Sequence, residues 1–194
     1  TVLGTEIVPS IPSMGQTALP EAAVVESSQL TVTTASSVQA GMSPTGADNL
    51  IGTNFAISAM DGQQQYPDAI WNTAASEFLV VWMDQRSSTF DRIYGQRLGS
   101  TGNLVGSDFA IATQPHLHRF PVAARNTAAN EYLVVWDDRR SETDYDVYGQ
   151  RLTSSGVLVG AEFAIVRTVA DQSLPAIAWN ATTNEYLVLW QDLR

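Results

Sequence analysis

The sequence predicts an all-β protein built from tandem four-stranded units. Three observations support this class: landmark residues recur at a fixed spacing, each repeat holds four short β-type segments between turn residues, and no segment has the 3.6-residue apolar period of an amphipathic helix. The landmarks recur every 54 residues and are Pro67, Pro121, Pro175, Trp82, Trp136 and Trp190. A recurrence of this length indicates a repeat protein whose units pack on one another.

Residues 121 to 165 show the four segments in order. They are "PVAAR", "EYLVVWDD", "DVYGQRL" and "LVGAEFAI", with "NTAAN" joining the first two and a "SSG" turn before the last. In the second segment, alternate residues are apolar on both faces of the predicted strand, which predicts burial on both sides. Tyr132, Val134 and Trp136 would lie on one face, and Leu133 and Val135 on the other.

Four-stranded units of this length predict β-propeller-type blades in an open or partial ring, with a β-solenoid as the alternative. On this template, residues 1–9 are an orphan outer strand aligned with the fourth segment, and residues 10–65 are a degenerate first blade. Residues 66–119 and 120–173 are the second and third blades, and residues 174–194 are the first half of a fourth. The open half-blades predict either a longer parent chain or completion between two chains.

Each well-formed unit carries a W-x-D-x-R phrase, followed in the two complete units by [IV]-Y-G-Q-R-L. This pattern resembles the repeats of secreted or cell-surface bacterial and archaeal β-propeller proteins of the TolB-like or WD40-like kind. The resemblance implies a secreted or surface propeller with no defined chemistry of its own. Arg92 departs from the pattern, because the next unit has Asp146 at that position. The structural repeat residues are Trp82, Asp84, Arg86, Tyr94, Arg97, Trp136, Asp138, Arg140, Tyr148, Arg151, Trp190, Asp192 and Arg194.

Composition excludes several classes of function. Twenty acids face ten arginines, lysine is absent and the net charge is −10, so binding to nucleic acid or to anionic lipid is disfavoured. No apolar run is long enough for a membrane-spanning helix. The absence of cysteine removes disulfides, thiol nucleophiles and cysteine zinc sites. A lysine-free acidic chain rich in serine and threonine favours an extracellular or cell-surface location.

The W-x-D-x-R acids have two interpretations. Because the pair recurs in every well-formed unit, we expect Asp–Arg bridges that close the turn between the second and third strands. The alternative is a glycan site on the ring face built from Asp84, Asp138, Asp192 and nearby tryptophans.

Two metal hypotheses also arise. The acid-rich turn offers Asp138, Glu142, Asp144 and Asp146 as oxygen ligands for calcium, against a solvated, salt-bridged turn. His116 and His118 have a spacing that zinc sites use, but Gln64 and Gln172 hold the repeat position of His118. A shared polar hydrogen-bonding slot therefore explains His118.

The sequence thus predicts a non-enzymatic extracellular module, structural or protein-binding, with no catalytic residues and no cofactor beyond the calcium alternative. Its expected partners are a second copy, which would complete the open blades, or other domains of a longer chain. The alternative function is a propeller that binds or hydrolyses glycans.

Overall fold

The computed structural model describes residues 2–9, 55–86 and 89–194. These residues form eleven β-strands and no helix. The strands are β1 (Val2–Pro9), β2 (Gln64–Asn72), β3 (Glu77–Asp84), β4 (Arg92–Gly99), β5 (Leu104–Ala112), β6 (His118–Asn126), β7 (Glu131–Asp138), β8 (Asp146–Thr153), β9 (Leu158–Val166), β10 (Gln172–Asn180) and β11 (Glu185–Asp192).

The strands form three antiparallel sheets. Sheet I has the order β2-β3-β4-β5, sheet II has the order β6-β7-β8-β9, and sheet III has the order β1-β11-β10. The prediction of an all-β protein with tandem four-stranded units is therefore confirmed for sheets I and II. The first strands of successive sheets lie side by side, because β6 contacts β2 and β10 contacts β6. The described strands stack in the order I, II, III without closing a ring.

A bulge near the start of each first strand explains the repeated proline. Tyr66, Phe120 and Leu174 have φ angles of 53°, 53° and 54°, in the left-handed region, and a proline follows each one. The pairing register with the second strand shifts at the same place in all three sheets. Proline has no amide hydrogen to donate, so it is tolerated where the ladder is interrupted.

Two apolar cores fill the spaces between the sheets. Between sheets I and II, Leu79 and Val81 pack in one cluster with Trp136. Between sheets II and III, Leu133 and Val135 pack in one cluster with residues of β11. The prediction that the second strand is buried on both faces is confirmed for β7, whose residues from Tyr132 to Asp138 are all buried.

The sheets also contact one another at their turns. The φ of Gly156, in the turn between β8 and β9, is +87°, and a Cβ built there would lie 2.6 Å from the ring of Phe109 in sheet I. Gly102 is the corresponding turn glycine of sheet I. A Cβ built at Gly102 would lie 2.9 Å from the nearest ring carbon of Phe55. Glycine is favoured at this turn for two reasons. It tolerates a positive φ, and it has no Cβ to clash with the phenylalanine of the preceding unit.

The N-terminal strand corrects one expectation. Residues 1–9 are not an orphan outer strand, because Val2–Pro9 pairs with β11 along its whole length. Gly4 is opposite Trp190, as Tyr148 is opposite Trp136, so β1 occupies the third place in its sheet and not the fourth. The alignment with the fourth segment matched Gly4 with Gly106 and Ile7 with Phe109, and two matched positions do not distinguish two neighbouring strands.

Two further points concern the unit boundaries. The first strands begin at Gln64, His118 and Gln172, two residues before the predicted starts of the second, third and fourth blades. Most of the degenerate first blade, residues 10–54, lies outside the described residues. None of the described residues forms a helix of the length and apolarity needed to cross a membrane.

Candidate functional site

The repeated W-x-D-x-R motif forms a closed ion pair in sheet I. Asp84 ends β3 with a fully buried side chain. The Nε and Nη2 atoms of Arg86 donate to its two oxygens over 2.9 and 2.7 Å, and the Arg86 amide and the Trp82 Nε1 donate as well. A second carboxylate, Asp108, accepts from Arg86 over 2.6 Å. The guanidinium also lies 3.7 Å from the ring centre of Tyr94. Trp82 and Arg86 thus both donate to the acid, and Tyr94 packs on the arginine.

The same arrangement recurs in sheet II. Arg140 donates to both oxygens of Asp138 over 2.9 and 2.6 Å, while Glu162 takes the place of Asp108 at 2.9 Å. The guanidinium lies 3.6 Å from the ring centre of Tyr148. His118 adds a contact from its Nε2 to Asp138 Oδ2 at 3.3 Å.

The lowered pKa values of these acids indicate carboxylates that form structural ion pairs with arginine. Burial by itself raises the pKa of Asp138, but hydrogen bonds from Arg140 and His118 outweigh burial and hold the pKa below its usual range. The balance has the same sign at Asp84, whose pKa is also lowered. In sheet III, Arg194 donates to Asp192 over 2.9 Å, and the hydrogen bonds from Arg194 are the main cause of the lowered pKa of Asp192. All three acids are thus ionised and paired.

The other repeated arginines lie at the opposite end of the sheets. Arg97 donates to Glu77 over 2.9 Å between β4 and β3, and Arg151 donates to Glu131 over the same distance between β8 and β7. Arg97 also donates to the Ser155 carbonyl of sheet II over 3.2 Å. These pairs join neighbouring strands and, at Arg97, neighbouring sheets.

The acids proposed as calcium ligands do not form a calcium site. Both oxygens of Asp138 are bonded to Arg140, and Asp144 Oδ1 accepts from Ser141 over 2.6 Å. Asp146 is buried with Arg167 3.8 Å away, and Glu142 lies on the exposed turn. Within residues 2–9, 55–86 and 89–194, no group of three or more acidic or histidine side chains could hold a metal ion.

The polar slot before the bulge is present in all three sheets. Gln64, His118 and Gln172 are each at most 2% exposed. Gln64 and Gln172 donate to nearby carbonyls, and His118 Nδ1 lies 2.8 Å from the Asp91 carbonyl of sheet I. His118 is thus a hydrogen-bonding residue between sheets I and II.

Among the three described sheets, a second cluster occurs in sheet II alone, and the sequence patterns did not predict it. It consists of Arg119, Asp137, Arg139 and Tyr145, and it is called the Arg–Tyr cluster below. Arg119 in β6 is opposite Asp137 in β7, with Nε to Oδ2 at 3.5 Å. The guanidinium of Arg119 lies 3.4 Å from the ring centre of Tyr145, and that of Arg139 lies 5.5 Å from it. Two cations therefore contact one ring.

Asp137 is the least satisfied acid of the described residues. Its side chain is fully buried against sheet III, and neither oxygen has a well-formed hydrogen bond. Burial raises its pKa to about 8, since the attraction of Arg119 and the Leu174 amide only partly offset the loss of water and Asp171 adds repulsion. Asp137 and Asp138 are adjacent in sequence, yet their pKa values shift in opposite directions.

No family model and no curated protein matches the chain. Among solved structures, it is similar to an endo-arabinase from Bacteroides thetaiotaomicron, with 12% sequence identity and a TM-score of 0.50. The match covers 70% of this chain and 54% of the enzyme chain, so this chain spans about half the length of that protein. At this identity the likeness concerns the fold alone. Fold and motif together define an all-β protein of tandem four-stranded antiparallel sheets.

Proposed function

We propose that this chain is a β-propeller-type module of a secreted or cell-surface protein, and that it acts as a scaffold or protein-binding unit without enzymatic activity. The observation that carries this proposal is the state of the repeated acids. Asp84, Asp138 and Asp192 are each buried and bonded to the arginine two residues later. A carboxylate held in this way is not available as a nucleophile or as a general base.

Self-association is the second part of the proposal. In β7, Leu133 and Val135 are at most 1% exposed because sheet III covers them. At the corresponding place in β11, Leu187 is 40% exposed and Leu189 is half-buried. Repeat proteins bury such faces against a further unit, so this face of sheet III supports packing against another repeat, here a second copy of the chain.

Light scattering over a concentration range tests this part. We expect the mass of the folded chain to rise with concentration, and Leu187→Glu to shift it toward the monomer, since a buried carboxylate without a partner is costly. Leu104→Glu is the matched control, because Leu104 is 49% exposed on β5 of sheet I. A strictly monomeric wild-type chain would rule out self-association.

A second candidate function is glycan binding or hydrolysis. The fold likeness to an endo-arabinase favours it, and so does the Arg–Tyr cluster, because a ligand site requires one unit to differ from the others. The repeated acids do not supply the glycan site, because each is buried and bonded to an arginine. We expect no release of reducing ends from arabinan after prolonged incubation with the chain. Sustained release that Asp137→Asn abolishes would make the module an enzyme.

A further inference from the structure

The repeat provides an internal control for the Arg–Tyr cluster. At the positions of Arg119, Asp137, Arg139 and Tyr145, the preceding unit has Gln65, Met83, Gln85 and Asp91, and the following unit has Ser173, Gln191 and Leu193. Because the same fold is built with uncharged residues at the first three positions, two arginines and an aspartate are not required there by the architecture. Their presence in a single unit calls for another explanation.

The cluster continues into an aromatic strip across sheets I and II. The Arg119 guanidinium lies 5.1 Å from the ring centre of Phe120, and the rings of Phe120 and Tyr66 are 4.4 Å apart. Tyr66 is 42% exposed, and Phe120 is half-buried. Both occupy the left-handed bulge position of their strands, which brings them together. The rings of Phe120 and Tyr66 thus extend the cluster from sheet II to sheet I.

The polar atoms of the cluster are incompletely paired. The Nε atoms of Arg119 and Arg139 and both oxygens of Asp137 are buried without a hydrogen-bond partner. The nearest carboxylate to Arg119 is Asp137 at 3.5 Å, and none of the described acids forms an ion pair with Arg139. The Arg119 side chain is 30% exposed, so solvent reaches part of it. Both arginine side chains are only partly buried, so an anion from solution would accept hydrogen bonds from their outer guanidinium nitrogens and not from the buried Nε atoms.

From this arrangement we infer that the Arg–Tyr cluster and the adjacent rings of Phe120 and Tyr66 bind a carboxylate-bearing sugar, such as a uronic-acid oligosaccharide. Planar guanidinium groups suit a carboxylate, which accepts two parallel hydrogen bonds. The exposed ring of Tyr66 and the half-buried ring of Phe120 suit the apolar face of a neighbouring sugar residue. This inference gives the ligand class for the second candidate function, on which it rests, and it requires binding without hydrolysis.

The charges around the cluster are compatible with an anion. Asp137 is the acid within the cluster, and Asp171 adjoins it, since its Oδ1 accepts from the Tyr145 amide over 2.8 Å. Because the pKa of Asp137 is raised to about 8, its carboxyl is mostly protonated at neutral pH. Asp171 then remains as one acid against two arginines. The cluster is locally cationic on a chain whose net charge is −10.

The test is calorimetric titration of the full chain with trigalacturonic acid at pH 7 and low salt. We expect saturable binding that weakens as salt is added. The double variant Arg119→Gln and Arg139→Gln should lose at least tenfold in affinity. It places in sheet II the glutamines that sheet I has at these positions, so the fold is expected to tolerate it. Arg167→Gln, at a 64% exposed arginine, is the control and should bind like the wild type.

The outcomes separate the inference from the proposed function. Binding that the double variant abolishes and Arg167→Gln preserves supports the site. Absence of binding by the folded wild type, or equal binding by the double variant, overturns it. Equal affinity for neutral arabinotriose overturns the role of the carboxylate, and equal affinity for a triglutamate peptide overturns the choice of a sugar. Release of reducing ends from arabinan would contradict the proposed lack of enzymatic activity. It would not test the binding site.

Discussion

Replacing Asp137 with asparagine should make the protein more stable by about 1–3 kcal/mol at pH 8–9. The wild-type carboxyl is fully buried, lacks a well-formed hydrogen bond and has a pKa raised to about 8. Ionising it inside the fold is therefore unfavourable. Asparagine has nearly the same shape and has no charge to bury.

The pH dependence of this effect has a definite sign. Below pH 3.8 the carboxyl is protonated in both the folded and the unfolded chain, and the charge penalty is absent. Between about pH 4 and pH 8 the unfolded chain has released the proton while the folded chain keeps it, so stability falls as pH rises. Above about pH 8 both states are ionised, and the loss levels off.

Urea unfolding followed by tryptophan fluorescence from pH 4 to pH 9 measures this effect. The difference in unfolding free energy between Asp137→Asn and the wild type should grow with pH and reach a plateau near pH 8–9. Asp144→Asn, at an acid on the turn, should show no such growth. A pH-independent difference, or a variant less stable than wild type at pH 9, would contradict the buried ionisable acid.

Replacing Asp138 with asparagine should have the opposite effect and destabilise the protein by about 2–3 kcal/mol at pH 7. The substitution removes a charge that receives two hydrogen bonds from Arg140 and one from Trp136. It leaves Arg140 with Glu162 as its remaining acid. The lowered pKa of Asp138 means that this stability is present above about pH 4 and is lost as pH falls through the folded pKa.

Asp192→Asn is the matched control for the motif. It removes the same carboxylate from the same phrase, but its partner Arg194 is 59% exposed, so solvent screens the pair. The same urea experiment at pH 7 should show a smaller loss for Asp192→Asn than for Asp138→Asn. Equal losses would mean that burial of the pair in sheet II adds nothing.

These two neighbouring acids show how far sequence reasoning reaches. The alternation along β7 predicted that consecutive side chains point to opposite faces, and the repeat predicted that Asp138 pairs with Arg140. The sequence does not show which residues of the neighbouring sheets pack against each face of β7. Sheet III covers Asp137, where the Leu174 amide and Arg119 only partly offset the loss of water, whereas Trp136 and Arg140 donate to Asp138. The environment of a side chain between two sheets depends on residues far away in the chain.

The Arg–Tyr cluster was detectable in principle. A comparison of the units position by position would have marked Arg119, Asp137 and Arg139 as charges that the neighbouring units lack. The predictions from sequence were based on the residues that all units share, and the acid-rich turn was considered as a calcium site. Only the structure shows that these residues meet at the ring of Tyr145. The third place of β1 in sheet III was likewise beyond the sequence, since several registers bury a short apolar strand equally well.

The pairing of β1 with β11 determines the order in which the chain can be assembled. Sheets I and II each consist of consecutive strands joined by short connections, so they can form as soon as their own residues are synthesised. Sheet III joins Val2–Pro9 to Glu185–Asp192, across almost the whole sequence. During synthesis β1 must wait for β11 to emerge from the ribosome, and closing so large a loop carries the greatest entropy cost of any strand pairing described.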